Sequence, residues 1–274
     1  QKMAYIPQWG QYVSTTPQGD VKVKVDYLAH GSKMKLSIRN TVYDADGKVV
    51  AKSLGNKVQQ LKVKNPQLWD IAKGYLYTVK SELVVNGKVM DTATTTTGFR
   101  EVKFDAQKGF FLNGRNIKIN GVCEHHDFGC LGAAVNEDAM HRKLTILRDM
   151  GVNAIRSSHN PPAPELLNMC DSMGILVMDE SFDMWRRKKS NGDYARFFDE
   201  WHKRDLSDLI KRDRNHPSII MWSIGNEVLE QWSDAAADTL SLEQANLILN
   251  AGHDASTLAH SDELSVNSLL TQHL

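Results

Sequence analysis

The sequence predicts two structural parts, an antiparallel β-sandwich and then an α/β part with buried parallel strands. From about Val21 to Thr97, apolar and polar residues alternate with period two, which is typical of half-buried strands. After about Gly98, compact apolar runs alternate with longer stretches of helical period, which indicates parallel strands linked by helices. The chain has 274 residues, enough for two ordinary domains.

The strands of the first part are short and evenly spaced. Their runs read VKVKVDYL, KMKLSIRN, KVQQLKVK and YLYTVKSELVV, with turn-rich stretches such as 44–47 between them. Asn86-Gly87 is the dipeptide that best tolerates positive φ at both centres of a type I′ turn, so we expect a hairpin there. Short strands at this spacing favour an antiparallel sandwich.

The second part contains four apolar runs, IKINGV, VNAIRS, GILVMDE and SIIMWSIG, which we interpret as parallel strands. A first helix is expected to start at Asn136 as its N-cap and to stop at Gly151, and a second to stop at Gly174. A third is expected over 193–214. The apolar faces predicted for the first and third helices are Met140, Leu144 and Leu147, and Phe197, Trp201, Leu206 and Leu209, respectively.

Strands linked by helices in this way form either a doubly wound sheet or a (β/α)₈ barrel. Four strands, followed by an amphipathic stretch over 242–274, amount to half a barrel. Two strand edges would then lack partners, which an independent domain seldom tolerates. We therefore expect a truncated barrel, whose open side predicts association between copies.

The charge balance is neutral, with 33 Lys+Arg against 33 Asp+Glu. No net field draws the chain to nucleic acid or to an anionic membrane, so neither is expected as a partner. No apolar run is long enough to span a membrane, and the first residues do not resemble a signal peptide, so we expect a soluble chain. Three cysteines without a CxxC pair indicate neither a disulfide framework nor a thiolate zinc site.

The segment SIIMWSIGNE carries the strongest functional signal. Its apolar strand ends in Asn226 and Glu227, and the carboxyl ends of barrel strands form the active face. A glycosidase acid needs a carboxyl held partly out of water, and a neighbouring amide can bind a sugar hydroxyl through its donor and its acceptor. The alternative is that Glu227 simply begins a solvated loop.

The other strand ends are also polar. Asp179 and Glu180 end the third strand, where a structural role is favoured because buried carboxylates need partners, whereas Asp183 and Trp185 are better placed to contact ligand. The remaining candidates are His125 for substrate hydrogen bonding, His159 for ligand contact, and Arg156 for pairing with a carboxylate at the barrel mouth. The cluster Glu124, His125, His126 and Asp127 could be read as metal ligands, but successive strand residues point to opposite faces.

Together, the motifs GFREVKFD, FFLNGRNIKINGV, NAIRSSHNPP, DSMGILVMDES and RDRNHPSIIMWSIGNE resemble glycoside hydrolase family 2, especially its β-galactosidases. The resemblance covers nearly the whole chain. It implies an immunoglobulin-like sandwich over 13–98 and the first half of a catalytic (β/α)₈ (TIM) barrel over 99–274. Residues 1–12 would be a linker from a preceding sugar-binding domain, and both ends of the chain are expected to be cut.

The resemblance also implies roles for the site residues. Glu227 matches the acid/base, Asn226 the residue that binds the sugar 2-hydroxyl, and His125 and His159 the histidines lining the site. Arg156 and Asp179 match structural positions at the barrel mouth, where Glu180 is grouped with them. The implied reaction is double displacement at a terminal β-galactoside, with a nucleophilic glutamate beyond residue 274, so the segment alone is expected to be inactive.

No cofactor or metal is predicted. Some family members bind magnesium beside the acid/base, but the ligands they use are not recognisable in SFDMWRRKKSNGDY. The alternatives are a β-glucuronidase or β-mannosidase of the same family, or a noncatalytic carbohydrate-binding fragment. The last would need an exposed aromatic platform on the sandwich, whereas Trp69 is expected to be buried. A bacterial periplasm or cytoplasm is compatible with the sequence, which does not distinguish between them.

Overall fold

The computed structural model describes residues 3–31 and 34–227, and the amphipathic stretch predicted over 242–274 lies outside them. The first part contains strands β1 (Ala4–Tyr5), β2 (Gln11–Thr15), β3 (Asp20–Val25), β4 (Leu28–Ala29), β5 (Leu36–Tyr43), β6 (Val49–Gly55), β7 (Val58–Lys62), β8 (Tyr77–Val85) and β9 (Lys88–Thr97). Two antiparallel sheets, ordered β2-β3-β7 and β6-β5-β8-β9, form the sandwich, and β1 pairs with β4 beside them.

The sandwich core follows from the period-two pattern. Along β3, Val21, Val23 and Val25 are buried while the residues between them are exposed, and they pack with residues of β5 and β8 such as Ile38. The predicted hairpin is confirmed, because β8 pairs with β9 across a turn in which Asn86 has a φ of 50° and Gly87 a φ of 83°.

A small antiparallel sheet connects the two parts. Its strands are β10 (Val102–Asp105), β11 (Gly109–Leu112) and β12 (Arg115–Asn116), in that order. Phe110 and Leu112 of β11 pack in one buried cluster with Trp69 from the sandwich side and Leu176 from the α/β part. The connecting sheet therefore shares a core with both parts.

The second part alternates strands and helices as predicted. Its elements are β13 (Gly121–His125), α1 (Glu137–Asp149), β14 (Ala154–Ser158), α2 (Pro164–Met173), β15 (Leu176–Glu180), α3 (Ala195–Asp213) and β16 (Ile219–Ser223), with a short 3₁₀ turn at Gly129–Leu131. The four strands are parallel and lie in chain order, β13-β14-β15-β16. Because a doubly wound sheet reverses its strand order at a switch point, this consecutive order is that of a barrel segment.

The helix boundaries match the sequence signals. The Asn136 side chain accepts a hydrogen bond from the Ala139 N–H at 2.9 Å, so it caps α1 as predicted. Gly151, just beyond α1, and Gly174, just beyond α2, have φ values of 90° and 68°, which favour glycine. Within the described ranges, no helix is both long enough and apolar enough to cross a bilayer.

Two local predictions were wrong. The first parallel strand begins at Gly121, where pairing with Ala154 starts, rather than at the apolar run over 117–122. Upstream of it, the Ile117 N–H donates to the Phe110 carbonyl of the connecting sheet, and residues 117–120 lie between β12 and β13 without belonging to either strand. On α3, Phe198 rather than the predicted Phe197 faces the core, because Phe198 and His202 continue the face on which the predicted Leu206 and Leu209 are buried.

The sandwich and the barrel segment are joined by specific polar contacts. The fully buried Trp69 donates through Nε1 to the Asp171 carbonyl on α2 at 2.7 Å. Beyond α3, the Asn215 side chain accepts from the Val13 N–H at 2.9 Å and donates to the Gln11 carbonyl at 3.0 Å. The prediction that Trp69 is buried is therefore confirmed, and its ring offers no exposed platform on the sandwich.

Candidate active site

The predicted polar residues meet at one edge of the parallel sheet. Parallel strands share a direction, so their carboxyl ends lie side by side. The residues carried at or just beyond those ends are His125 at the end of β13, Arg156 and His159 on and after β14, Asp179, Glu180 and Asp183 on and after β15, and Asn226 and Glu227 after β16.

Glu180 is the centre of a buried polar network. Its carboxylate accepts from Arg156 Nε at 2.7 Å and from Arg156 Nη2 at 2.9 Å, and it contacts His159 Nδ1 at 2.8 Å. The Ser223 hydroxyl donates to it at 2.6 Å. Glu180 is completely buried, and a buried charge needs such partners. The sequence-based interpretation of Arg156 as the partner of a carboxylate agrees with this geometry.

Asn226 links the network to the open part of the site. Its Oδ1 accepts from Arg156 Nη2 at 3.0 Å, and its Nδ2 donates to Asp183 Oδ1 at 3.0 Å. Its backbone N–H donates to the Phe182 carbonyl at 3.0 Å. The amide orientation is therefore fixed by Arg156 on β14 and by Asp183 just after β15, and within the described residues one N–H of Nδ2 is left for another acceptor.

Asp183 and Glu227 share one ammonium group. Lys189 Nζ donates to Asp183 Oδ1 at 3.0 Å and to Glu227 Oε2 at 2.8 Å. Partial burial acts to raise the pKa of Asp183, but hydrogen bonds from Asn226 and Lys189 and the charge of Lys189 hold it below its usual value. Asp183 is therefore ionised at neutral pH.

Glu227 lies in a bend shortly beyond Ser223, the last residue of β16. Its backbone φ is 53°, in the left-handed region that a residue with a side chain seldom adopts. Its side chain is 57% exposed, so the carboxyl can be reached from solvent. The arrangement presents a reachable carboxyl beside the rigid amide of Asn226.

A cavity of about 340 Å³ opens beside these residues. Its lining includes His125, His159 and Asp183 together with apolar side chains such as Phe128 and Leu166. The rings of His125 and His159 meet edge to face with centroids 5.1 Å apart. The site therefore combines polar groups with apolar walls, as small-molecule sites do.

Asp179 points away from this cavity into the protein. It is completely buried, and burial together with the nearby charge of Asp213 raises the pKa of Asp179 well above its usual value. Arg212, which pairs with Asp213 at 2.7 Å, counteracts part of that rise. This position suits the structural role suggested by the sequence.

The structure does not place Trp185 where the sequence suggested. Its side chain is only 1% exposed, its ring stacks on Phe198, and its Nε1 donates to the Ile224 carbonyl at 3.1 Å. An indole ring buried against α3 has no free face for a sugar, so its assignment as a ligand-contact residue is corrected. Trp185 instead supports the backbone that leads to Asn226.

The cluster after β13 does not converge on one point. Glu124 forms an ion pair with Lys143 of α1, and His126 Nε2 contacts the Ala133 carbonyl at 2.8 Å. His125 lines the cavity instead. Among the residues described by the structure, no group of three or more His, Cys, Asp or Glu side chains is arranged to hold a metal ion.

Two contributors were not found from the sequence. Lys189 lies in the run RRKK, where nothing distinguishes it from the three other cations. Ser223 lies inside an apolar strand and shows its role only through its hydrogen bond to Glu180. Both act through pairs more than 35 residues apart in sequence, which local patterns do not reveal.

The chain combines a sandwich with a parallel barrel segment that carries carboxyl and amide groups at its strand ends. This arrangement is expected of a multidomain glycoside hydrolase. Family models agree: residues 5–100 match Glycosyl hydrolases family 2, and residues 102–262 match its TIM barrel domain. The chain belongs to glycosyl hydrolases family 2. The family and the fold class predicted from the sequence are thereby confirmed.

Relatives with known names span more than one activity. The chain is 57% identical over 286 aligned residues to "Beta-galactosidase BoGH2A" of Bacteroides ovatus, covering 98% of this chain and 34% of that protein. It is 33% identical to a β-glucuronidase of Streptococcus agalactiae, covering 73% and 35%. A crystal structure of a β-glycosidase from Bacteroides vulgatus matches with a TM-score of 0.78 at 36% identity, covering 89% and 32%. The chain thus spans about a third of the length of these relatives.

Proposed function

We propose that the full-length protein containing this chain is a retaining β-galactosidase with Glu227 as its acid/base. The observation that carries the proposal is the position of Glu227, a reachable carboxyl beside the fixed amide of Asn226 at the carboxyl end of a barrel strand. The identity of 57% to a protein named as a β-galactosidase supports the choice of sugar.

The proposed reaction has two displacements. In the first, Glu227 gives its proton to the glycosidic oxygen while a second carboxylate attacks the anomeric carbon, and the bond to the leaving group breaks with its electron pair on that oxygen. In the second, Glu227 takes a proton from water as the water oxygen attacks the anomeric carbon, which releases the second carboxylate. Retention requires the two carboxyls about 5–5.5 Å apart.

We assign the nucleophile to a glutamate beyond residue 274, as the family resemblance implies. The carboxylates near Glu227 in the described part of the chain are already engaged, Glu180 by Arg156 and Ser223, and Asp183 by Lys189. Donors contact both oxygens of Glu180, and two donors share Oδ1 of Asp183. They withdraw the electron density that a nucleophile needs, so neither carboxylate suits the role. This chain alone is accordingly proposed to be inactive.

The neighbouring side chains have complementary tasks in this proposal. His159 Nδ1 lies 2.8 Å from Glu180, so the tautomer that carries its proton on Nδ1 donates there and leaves Nε2 to accept from a sugar hydroxyl. His125 adds a second ring at the cavity wall. The free N–H of Asn226 can donate to the sugar 2-hydroxyl, an interaction that strengthens in the transition state.

A β-glucuronidase is the second candidate, because relatives named as β-glucuronidases match this chain at 33% identity or more. The sugars of the two candidates differ in the configuration of the 4-hydroxyl and in the carboxylate that replaces the C6 hydroxymethyl group of galactose. Aryl β-galactoside and aryl β-glucuronide offered to the full-length protein therefore distinguish them by their kcat/KM values.

The product stereochemistry tests the mechanism in the same experiment. Proton NMR of the first-formed sugar should show the β-anomer before mutarotation. Faster turnover of the glucuronide would change the proposed substrate to a β-glucuronide without contradicting the proposed mechanism. An α-anomer as first product would contradict double displacement, and hydrolysis of neither substrate would contradict the proposed function.

A further inference from the structure

We infer that Lys189 is a positioning residue, which holds one oxygen of Glu227 so that the other faces the glycosidic bond. This inference rests on the proposed function of Glu227. Its basis is the bridge in which the Lys189 ammonium donates to Glu227 Oε2 at 2.8 Å and to Asp183 Oδ1 at 3.0 Å. Within the described part of the chain, Lys189 is the hydrogen-bond partner of the Glu227 side chain.

Glu227 needs an external support because its own surroundings leave it free to rotate. The side chain is 57% exposed and lies in a bend rather than on a strand. An acid that is misplaced by about 1 Å loses much of its catalytic effect, since proton transfer depends on the reacting atoms being in line. A donor at Oε2 removes that freedom.

Lys189 can act as this support because its own backbone is fixed. Asp193 Oδ2 accepts from the backbone N–H groups of Lys189 at 2.7 Å and Ser190 at 2.8 Å, while its Oδ1 accepts from Ala195 N–H at 3.0 Å. One carboxylate thus ties the loop to the first turn of α3. The Lys189 side chain is only 21% exposed, so its ammonium has little freedom to leave the bridge.

The bridge also connects Glu227 to the rigid network. Asp183, the other partner of Lys189, accepts a hydrogen bond from Asn226. Asn226 in turn accepts one from Arg156, which forms an ion pair with Glu180. Among the described residues, the charged group that contacts Glu227 is Lys189. Asp183 lies on the other side of the same ammonium, and Arg156, Glu180 and His159 lie behind Asn226. A shift of the strand ends is transmitted to the acid through this series of contacts.

The chemistry assigns the ammonium a fixed role as hydrogen-bond donor. Burial alone would lower the pKa of Lys189, but its hydrogen bonds to Glu227 and Asp183 raise it, so the group stays protonated throughout the cycle. When Glu227 is a neutral acid, Oε2 is its carbonyl oxygen and accepts from Lys189, while Oε1 carries the proton toward the leaving group. When Glu227 is ionised, Oε1 accepts a proton from water and Oε2 keeps its donor.

The test compares Lys189→Met and Lys189→Arg in the full-length protein with a neighbouring control, Lys188→Met. Lys188 is exposed, so its change removes the same charge one residue away. Each variant is assayed with 2,4-dinitrophenyl and phenyl β-glycosides of the sugar that the wild type hydrolyses. The first leaving group departs without a proton, whereas the second requires the acid.

We expect Lys189→Met to lower kcat/KM for the phenyl glycoside by about 10- to 100-fold and to change kcat/KM for the dinitrophenyl glycoside by less than about threefold. Lys189→Arg, which keeps a donor in reach, should recover most of the loss, and Lys188→Met should match the wild type. Circular dichroism and the thermal midpoint establish that each variant is folded.

Equal losses on both leaving groups, or no loss on either, would overturn the role of Lys189. If Lys189→Met does not fold, Lys189→Arg decides alone. Its longer, forked side chain shifts the donor, so kcat/KM for the phenyl glycoside must fall selectively, by less than is expected for Lys189→Met. A wild type that hydrolyses neither glycoside rejects the proposed function itself, and that result is distinct from a failed leaving-group effect in an active enzyme.

Discussion

Arg156 and Glu180 form a two-pronged ion pair across adjacent strands, with Nε and Nη2 of the arginine 2.7 and 2.9 Å from the two carboxylate oxygens. The carboxylate is fully buried and the guanidinium 29% exposed. The hydrogen bonds with Glu180 raise the pKa of Arg156, although its partial burial acts against them. Since Nη2 also donates to Asn226 at 3.0 Å, this pair sets the position of the residue beside Glu227.

Replacing Arg156 with lysine keeps the charge but loses the planar fork. We expect this change to lower the free energy of unfolding of the full-length protein by about 1–3 kcal/mol, because Glu180 stays buried with a poorer partner. Urea denaturation measures it. Arg204→Lys is the control: its pair with Asp208 is exposed and should change stability by less than about 0.5 kcal/mol. Equal effects of the two changes would contradict the importance of the fork.

Trp69 connects the sandwich to the barrel segment through its bond to the Asp171 carbonyl. Trp69→Phe removes the donor and leaves that carbonyl without this partner, which should cost about 1–3 kcal/mol. Trp201→Phe serves as the control, because Trp201 is only half-buried on α3. Urea denaturation followed by circular dichroism should show the larger loss for Trp69→Phe. A Trp69 variant as stable as the control would show that the contact does not join the two parts.

Asp179 gives stability a dependence on pH that can be worked out from its position. Burial and Asp213 raise the pKa of Asp179 in the folded protein, so the fold favours its protonated form. Its contribution is fully present below the ordinary pKa of an aspartate, about 4, and is lost as pH rises through the raised value. Asp179→Asn should therefore weaken the decline in thermal midpoint above about pH 4. An unchanged pH profile in the variant would contradict this account.

Trp185 offers a test of the correction made to its role. Because the buried Trp185 side chain donates to the Ile224 carbonyl, Trp185→Phe should lower the thermal midpoint and kcat while KM stays within about twofold of the wild-type value. A ligand-contact residue would instead raise KM, since it contributes to substrate binding. Steady-state kinetics of the full-length variant separate these outcomes, and a rise in KM with unchanged stability would restore the earlier assignment.

Where the signal was local, the sequence predicted the structure well. The hairpin at Asn86-Gly87, the cap at Asn136 and the stop at Gly174 each depend on the backbone preference of one or two residues, and all were found where expected. The start of β13 was misplaced because the first four residues of the apolar run, 117–120, connect β12 to β13 and belong to neither strand. A period-two pattern identifies a strand but not its partner.

The predictions for the candidate site also depended on whether the signal was local in the sequence. Strand-end positions predicted that Glu227, Asn226 and His159 lie near one another, because parallel strands bring their carboxyl ends together. Trp185 was misassigned, since its burial against Phe198 depends on how α3 packs. Lys189 was missed because its contact with Glu227 spans 38 residues and requires the loop before α3 to fold back over the strand ends.

The most direct test of the account is hydrolysis of an aryl β-galactoside by the full-length protein as wild type and as Glu227→Ala, each with and without azide. Loss of the acid/base should lower activity on a poor leaving group by about 10²- to 10⁴-fold. For an activated leaving group, azide should restore turnover of the variant and yield β-galactosyl azide, because the small anion attacks the glycosyl intermediate without a general base. A Glu227→Ala variant with wild-type activity, or one whose azide product is the α-anomer, would contradict the assignment of Glu227 as the acid/base of a retaining enzyme.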